Sequence, residues 1–133
     1  MRLVADANVL LSAVIGGRAK EVLQHTSITE VFVAEATLVE VQEYAAQLAV
    51  KKGLPHDVVL LAVAALPVIV VESATYEKRI PEAKRRIGRR DPDDIDVLAL
   101  ALHIDAPVWS NDNDFEDAGV QWFTTAELLA KLI

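Results

Sequence analysis

The chain has 133 residues, of which 53% are hydrophobic and only 5% aromatic, and its net charge is −7. This length and apolar content predict a single domain over residues 1–133, with a core built from Ala, Val, Leu and Ile. The absence of Cys excludes disulfides, thiolate metal sites and thiol catalysis. The negative charge argues against a protein that simply coats nucleic acid. No signal sequence or membrane span is recognisable, so we expect a cytoplasmic protein without a membrane partner.

Short apolar segments alternate with helical patterns along the chain. We predict strands at residues 2–6, 30–34, 68–71, 107–110 and 121–123. We predict helices at residues 9–15, 19–25, 35–52, 57–66, 76–87 and 94–104. Thr124 or Thr125 caps a last helix, with Glu127 placed for a capping box. Strands that alternate with helices are typical of a parallel sheet covered on both faces, so the predicted fold is α/β with four to five strands.

An acidic cluster opens the predicted helix 94–104. Asp91, Asp93, Asp94 and Asp96 lie within six residues. Asp is a good N-cap, and acidic side chains in a first turn interact favourably with the helix dipole, so part of the cluster has an ordinary structural explanation. Carboxylates this close also repel one another unless water or a cation screens them. On a packed scaffold such a cluster is typical of a site for Mg²⁺ or Mn²⁺.

Two further acids lie at the ends of predicted strands. Asp6 ends the first strand, and Asp112 directly follows the fourth. Open α/β sheets bind their ligands at the carboxyl ends of strands, so this position favours a site. Asp6 would also suit a helix cap, and that alternative stays open. Asp94 begins a helix that leads into a strand, and chain order alone does not place it at the same edge.

Basic residues concentrate just before the acidic cluster. Seven of the 13 basic residues fall between Lys78 and Arg90. Such a run is typical of a solvated helix face. It also suits phosphate binding, because it leads directly into the candidate metal site. The sequence leaves both interpretations open.

The order of the acids resembles that of the PIN-domain nucleases, which include the VapC-type toxins of bacteria and archaea. The resemblance covers nearly the whole chain. Asp6-Ala7-Asn8 is similar to the family's opening acid, and Glu40 to its second acid, which lies on a helix. Asp94, eighteen residues before Asp112, is similar to the third. Asp112-Asn113-Asp114-Phe115 is similar to the closing motif.

Of two positions near these motifs, one agrees with the family and the other departs from it. Ser110 stands where the family often has Ser or Thr. Asp96 stands where the family usually has an apolar residue or Pro. Asp94 and Asp96 are therefore alternatives for the third acid, and the spacing to Asp112 favours Asp94.

The resemblance implies a three-layer α/β/α fold whose acids bind one or two Mg²⁺ or Mn²⁺ ions and hydrolyse RNA phosphodiester bonds. It implies catalytic and metal-binding roles for four acids: Asp6, Glu40, Asp94 and Asp112. It implies supporting roles for Asn8, Ser110, Asp114 and Asp96. With RNA as the substrate, the basic run becomes a candidate for backbone contacts through Arg85, Arg86, Arg89 and Arg90.

The resemblance also implies protein partners. VapC-type toxins are restrained by a small antitoxin and commonly form homodimers, so we expect a homodimer and an antitoxin. The apolar segment 58–66 is a candidate for an interface, because exposed apolar patches of this kind mark contact surfaces. The alternative is that this segment is simply part of the core.

Other functional classes fit the residues less well. A phosphatase of the haloacid dehalogenase kind normally has a second Asp two residues after the strand-end Asp, where this chain has Asn8. A receiver-like module needs an Asp at the end of its third strand, where this chain has Glu72. Within the PIN family, the alternatives to a toxin are a housekeeping RNA-processing nuclease and a catalytically silent interaction module.

Overall fold

A parallel sheet forms the centre of the molecule. The computed structural model describes residues 1–87 and 92–132. Within them lie five strands: β1 (Arg2–Ala5), β2 (Glu30–Ala34), β3 (Ile69–Val71), β4 (Val108–Trp109) and β5 (Trp122–Phe123). The neighbouring strands are all parallel, in the order β3-β2-β1-β4-β5. The predicted parallel sheet is confirmed, with the larger of the two expected strand numbers.

Helices connect these strands. They are α1 (Ala7–Val14), α2 (Ala19–Gln24), α3 (Glu35–Lys52), α4 (His56–Ala64), α5 (Ser73–Tyr76), α6 (Ile80–Ile87), α7 (Ile95–Ile104) and α8 (Thr125–Leu132). The predicted capping box of α8 is present, since the Glu127 N–H donates to Thr124 Oγ1 and the Thr124 N–H donates to Glu127 Oε1. No helix in the described ranges is long and apolar enough to cross a membrane.

The basic segment 76–87 is not the continuous helix that its pattern predicts. α5 ends at Tyr76, a 3-10 turn spans Glu77–Arg79, and α6 begins at Ile80. Pro81 explains the interruption, because its ring has no N–H to donate and clashes with the carbonyl group four residues earlier. The basic side chains are therefore divided between two short segments.

Two buried clusters flank the sheet. One contains side chains of α1, α2, α3, α4 and α8, and the other contains side chains of α5, α6 and α7. In β1, Leu3 and Ala5 belong to the first cluster and Val4 to the second. Successive side chains of a strand point to opposite faces, so both faces of β1 are covered by helices. The molecule thus has the three-layer α/β/α arrangement that the resemblance implies.

The strand order reverses next to β1, and this reversal positions the candidate site. β2 and β3 lie on one side of β1, while β4 and β5 lie on the other. Ligands of open α/β sheets bind outside the carboxyl ends of the strands at such a reversal. Ala5 pairs with Trp109, so the residues that follow them, Asp6 and Ser110, emerge next to each other.

α7 begins at this same edge of the sheet. Asp94, the residue before α7, lines a cleft together with Asp112, which follows β4. Leu102, near the end of α7, lies instead beside Pro107, which precedes β4. A helix that leads into a parallel strand crosses the layer in the opposite direction to that strand. Asp94 therefore reaches the carboxyl edge, a placement that chain order left unexplained.

α4 combines core and surface residues. Val59 and Val63 are buried in the first cluster. Val58 is 60% exposed and Leu61 is 69% exposed. The apolar segment 58–66 is thus neither wholly core nor wholly surface, and α4 presents an apolar strip outward.

Candidate active site

A cleft of about 170 Å³ lies outside the carboxyl ends of β1 and β4. It is lined by Asp6, Ala7, Asn8, Leu11, Glu40, Tyr44, Asp93, Asp94 and Asp112. The structure therefore brings together the four acids to which the resemblance assigns catalysis, although they are far apart in the chain. They come from four places in the fold: the end of β1, the first half of α3, the start of α7 and the loop after β4.

Asp6 is held in the cleft by neutral hydrogen-bond donors. Its side chain is buried, and its Oδ1 accepts from the Ala7 N–H at 2.8 Å, as the N-cap of α1. Its Oδ2 accepts from the Ser110 hydroxyl at 2.8 Å and from the Asn8 amide at 3.2 Å. Asp6 is thus both a helix cap and a wall of the cleft. These hydrogen bonds fix the orientation of the Asp6 carboxylate beside the cleft.

Ser110 and Asn8 tie the two central strand ends together. Ser110 is fully buried, and its Oγ accepts from the Asn8 amide at 3.0 Å and from the Asp112 N–H at 3.1 Å. Asn8 Oδ1 in turn accepts from the Asn111 N–H at 3.0 Å. One hydroxyl therefore orients both Asp6 and the backbone that carries Asp112. This arrangement is the kind of outer support that fixes metal-binding side chains.

Asp112 reaches the cleft from an exposed loop after β4. Its Oδ1 accepts from the Asp114 N–H at 3.1 Å, which closes a small turn of the Asx type. Asp114 thus contacts Asp112 through its backbone amide. The turn restricts the Asp112 carboxylate to one side of the loop, towards the cleft.

The other two acids come from helices. Glu40 is half-buried on α3, and Asp94 is only 5% exposed at the start of α7. Removing a carboxylate from water costs free energy unless hydrogen bonds or a cation compensate. The depth of Asp94, in a cleft with four other acids, is therefore typical of a functional rather than a solvated residue.

Asp96 is directed elsewhere. Its Oδ1 accepts from the Tyr76 hydroxyl at 2.6 Å. Burial of the Tyr76 phenol, followed by its hydrogen bond to Asp96, raises the pKa of Tyr76 far above its ordinary value. Asp96 lines an adjoining cleft and is absent from the lining of the one that contains Asp6. The geometry thus separates the two alternatives, with Asp94 among the other acids and Asp96 anchoring Tyr76.

The donor set of the cleft suits a hard divalent cation. Carboxylate oxygens are the ligands that Mg²⁺ and Mn²⁺ prefer. Across residues 1–87 and 92–132, no three His, Asp or Glu side chains stand in an arrangement that would already hold an ion. Coordination by several of the acids therefore requires side-chain rotation or bridging water molecules.

Comparison with known proteins identifies the family. A family model described as a PIN domain matches residues 4–133. The chain belongs to the PIN-domain family. No curated protein matches the sequence.

Solved structures share the fold of this PIN domain. VapBC2 from Rickettsia felis, bound to a DNA fragment from their promoter, matches with a TM-score of 0.73 and 13% identity, over 93% of this chain and 98% of that one. DNA-bound VapBC from Salmonella typhimurium matches with a TM-score of 0.72 and 17% identity, over 94% of this chain and 98% of that one. Mycobacterium tuberculosis VapC20 is described as a Sarcin-Ricin loop cleaving toxin. It matches with a TM-score of 0.63 and 18% identity, over 89% of this chain and 95% of that one. At these identities the likeness establishes the fold.

The arginines expected to contact RNA occupy different positions in this PIN domain. Arg85 is exposed on α6. Arg86 donates to the Ala118 carbonyl at 2.9 Å and to the Glu82 carboxylate at 2.7 Å. These contacts lie beside Pro107, at the edge of the sheet where β4 begins, away from the cleft. The other two arginines lie outside the described residues: Arg89 and Arg90.

Asp93 and Tyr44 also line the cleft, although the resemblance gave neither of them an individual role. Asp93 belongs to the acidic cluster, and its neighbour Asp94 attracts the assignment because of its spacing to Asp112. Tyr44 lies four residues after Glu40 on α3, so both side chains lie on one helix face. That spacing is the feature of the sequence from which Tyr44 could have been found.

Proposed function

We propose that this PIN domain is a cytoplasmic ribonuclease that needs Mg²⁺ or Mn²⁺ to hydrolyse RNA phosphodiester bonds. The observation that supports the proposal is the convergence of Asp6, Glu40, Asp94 and Asp112 on one cleft. These acids would be costly to gather for stability alone, because like charges repel at short range. A cleft of hard oxygen ligands at the reversal of a parallel sheet suits metal-assisted attack on a phosphodiester.

The residues divide into ligands and supports. Asp6, Asp94 and Asp112 would hold one or two ions directly or through water, and Glu40 would hold an ion or position the attacking water. A bound ion supplies an activated water and neutralises charge on the phosphate. Ser110 and Asn8 keep Asp6 in place through their hydrogen bonds. Without a cation, the acids repel the phosphates, so metal-free protein binds RNA poorly.

We further propose that this chain is the toxin of a toxin–antitoxin pair. The structures that share its fold include a toxin–antitoxin complex from Klebsiella pneumoniae. A ribonuclease made in the same compartment as its host's RNA needs restraint. A housekeeping RNA-processing nuclease is the alternative within the same chemistry.

The exposed strip of α4 supports a protein partner. Val58 and Leu61 are 60% and 69% exposed, and such apolar surface is typical of an interface. We propose that a second copy of the chain covers this strip and that an antitoxin helix docks on an apolar groove and directs a basic side chain into the acidic cleft. Light scattering is expected to give the mass of a dimer, and a Leu61→Glu protein the mass of a monomer. A wild-type monomer at high micromolar concentration would contradict the dimer.

Cleavage of a mixed RNA pool tests the ribonuclease. Wild-type protein is expected to shorten RNA with Mg²⁺ or Mn²⁺ and to stop when EDTA is added. Asp6→Asn protein is expected to be at least about 100-fold slower, because it loses a charged ligand. Asn caps helices as well as Asp does, so the control for folding is an unchanged unfolding midpoint. If wild-type protein leaves every RNA intact, the silent interaction module becomes the better description.

Expression in growing cells tests the toxin role. The active protein alone is expected to stop growth, and the Asp6→Asn protein is not. Co-expression of a small protein encoded next to this chain is expected to restore growth. Harmless expression of protein that cleaves RNA in the tube would favour the housekeeping alternative.

A further inference from the structure

A second cleft adjoins the cleft that Asp6, Asp94 and Asp112 line, which we call the carboxylate cleft. Its volume is about 290 Å³. It is lined by Ala36, Thr37, Val39, Glu40, Glu43, Tyr44, Pro92, Asp93 and Asp96. Three residues belong to both clefts: Glu40, Tyr44 and Asp93. Tyr44 therefore stands at the junction, one helical turn from a candidate catalytic acid.

Tyr44 differs from every other aromatic residue of the chain. All aromatic residues lie in the described part of the chain, and Tyr44 alone among them is exposed. Its exposed fraction is 46%, whereas Trp109, Tyr76 and Phe115 are fully buried. A large ring left in water beside a polar cleft contributes little to the core. It does offer a flat face to a ligand.

The charges around Tyr44 indicate which part of an RNA it would meet. The adjoining cleft is lined by the carboxyl groups of Glu43 and Asp96, and no basic side chain is among its described lining residues. Carboxylates repel phosphates at this range but accept hydrogen bonds from the N–H groups of nucleobases. The cleft on the other side of the Asn8–Asn111 contact is lined by Arg18 and contains no carboxylate among its described lining. The Tyr44 side is therefore suited to a base and not to the phosphate backbone.

We propose that Tyr44 stacks against a nucleobase of the RNA substrate, next to the phosphate that is cleaved. The inference rests on the proposed ribonuclease function. Single-stranded RNA is commonly bound by stacking its unpaired bases on exposed aromatic rings. Tyr44 thus acts as a positioning residue, which fixes one base so that the neighbouring phosphodiester lies over the acids. It does not take part in the chemistry.

The test combines a change in the protein with a change in the RNA. An oligonucleotide containing a site found in the RNA pool is made in versions that each lack one base near the cleaved bond. kcat/KM is measured for wild type, Tyr44→Ala and Tyr44→Phe. Val50→Ala is the matched control, since Val50 lies on the same helix, is 82% exposed and lines neither cleft.

Stacking predicts a specific pattern. Removing one particular base is expected to lower wild-type kcat/KM about tenfold or more. Tyr44→Ala is expected to lose the same factor on intact RNA and nothing further on the RNA that lacks that base. Tyr44→Phe, which keeps the ring, and Val50→Ala are expected to match wild type.

Other outcomes would overturn the proposal in distinguishable ways. Equal losses for Tyr44→Ala on all oligonucleotides would assign Tyr44 a structural role. Unchanged cleavage by Tyr44→Ala, together with weaker inhibition by an arginine-rich peptide, would assign the cleft to a basic protein segment. If wild-type protein cleaves none of the oligonucleotides or pool RNAs, the ribonuclease proposal itself fails, and this inference fails with it.

Discussion

Charged side chains are arranged differently at the two edges of the sheet. At the carboxylate edge, defined by Asp6, Ser110 and Asp112, like charges converge and neutral donors hold them in place. At the Arg86 edge, defined by Arg86 and Ala118, a cation is paired with Glu82 and bonded to a backbone carbonyl. The hydrogen bond from Arg86 is the main reason why the pKa of Glu82 lies below its usual value.

The difference indicates which edge is the candidate functional site. Opposite charges in contact relieve one another, so the Arg86 edge needs no external group. Carboxylates that converge on one cleft repel one another, and such local conflicts are typical of functional sites. Substitutions at the two edges should therefore affect different properties, namely activity at the first and stability at the second.

The largest expected effect is loss of cleavage at the carboxylate edge. Asp94→Asn, Glu40→Gln and Asp112→Asn are each expected to slow RNA cleavage at least about 100-fold, since each removes a candidate metal ligand. The metal-free proteins should be as stable as wild type or more so, because one repelling charge is gone. Single-turnover cleavage and denaturant unfolding measure the two properties.

Asp96→Asn is the matched control for Asp94. It is expected to retain most of the activity, because Asp96 contacts Tyr76 and does not line the carboxylate cleft. Full activity of Asp94→Asn with loss of activity in Asp96→Asn would reverse the assignment of the third acid. Such a result would also move the functional site to the adjoining cleft, which Asp96 lines.

The next effect concerns RNA affinity. Changing Arg85, Arg89 and Arg90 to Ala is expected to weaken RNA binding and to lower the slope of log K against log salt by roughly 2, at about 0.7 per lost contact to single-stranded RNA. Arg86→Ala is the control, and it should leave the slope unchanged because Arg86 is engaged at the other edge. An unchanged slope in the triple variant would return the basic run to a solvated helix face.

Sequence reasoning recovered the fold, and it named four of the five acids that line the cleft. Alternation of strands and helices was sufficient for the parallel sheet, because each segment had to bury an apolar face. The interruption at Pro81 and the contacts of Arg86 were not predicted. The Arg86 contacts depend on a carbonyl from a distant loop, which no local pattern reveals. Tyr44 was missed because the only signal in the sequence is its spacing of four residues from Glu40, which many exposed helix residues share.

A smaller effect tests whether the Tyr76–Asp96 hydrogen bond is structural. Tyr76→Phe is expected to lower the free energy of unfolding by about 1–2 kcal/mol and to leave cleavage unchanged. The folded state raises the pKa of Tyr76 above its ordinary value of 10.0, so this contribution is complete below that pH and declines as the pH rises further. Wild-type stability should therefore fall more steeply than that of Tyr76→Phe at strongly alkaline pH. Parallel slopes in urea unfolding across that range would show that the hydrogen bond does not influence titration.

The smallest effect is expected from the Arg86 edge. Arg86→Ala should lower the free energy of unfolding by about 1 kcal/mol, mainly through the lost hydrogen bond to the Ala118 carbonyl, because exposed ion pairs add little. Gly119→Ala is a second substitution that disturbs the contacts of Arg86. Gly119 has a φ of +75°, and a Cβ there would come within 2.8 Å of Arg86 Nη1. Both variants should cleave RNA at the wild-type rate. Loss of cleavage with unchanged stability in Arg86→Ala would mean that the two edges are functionally connected and that Arg86 acts on RNA after all.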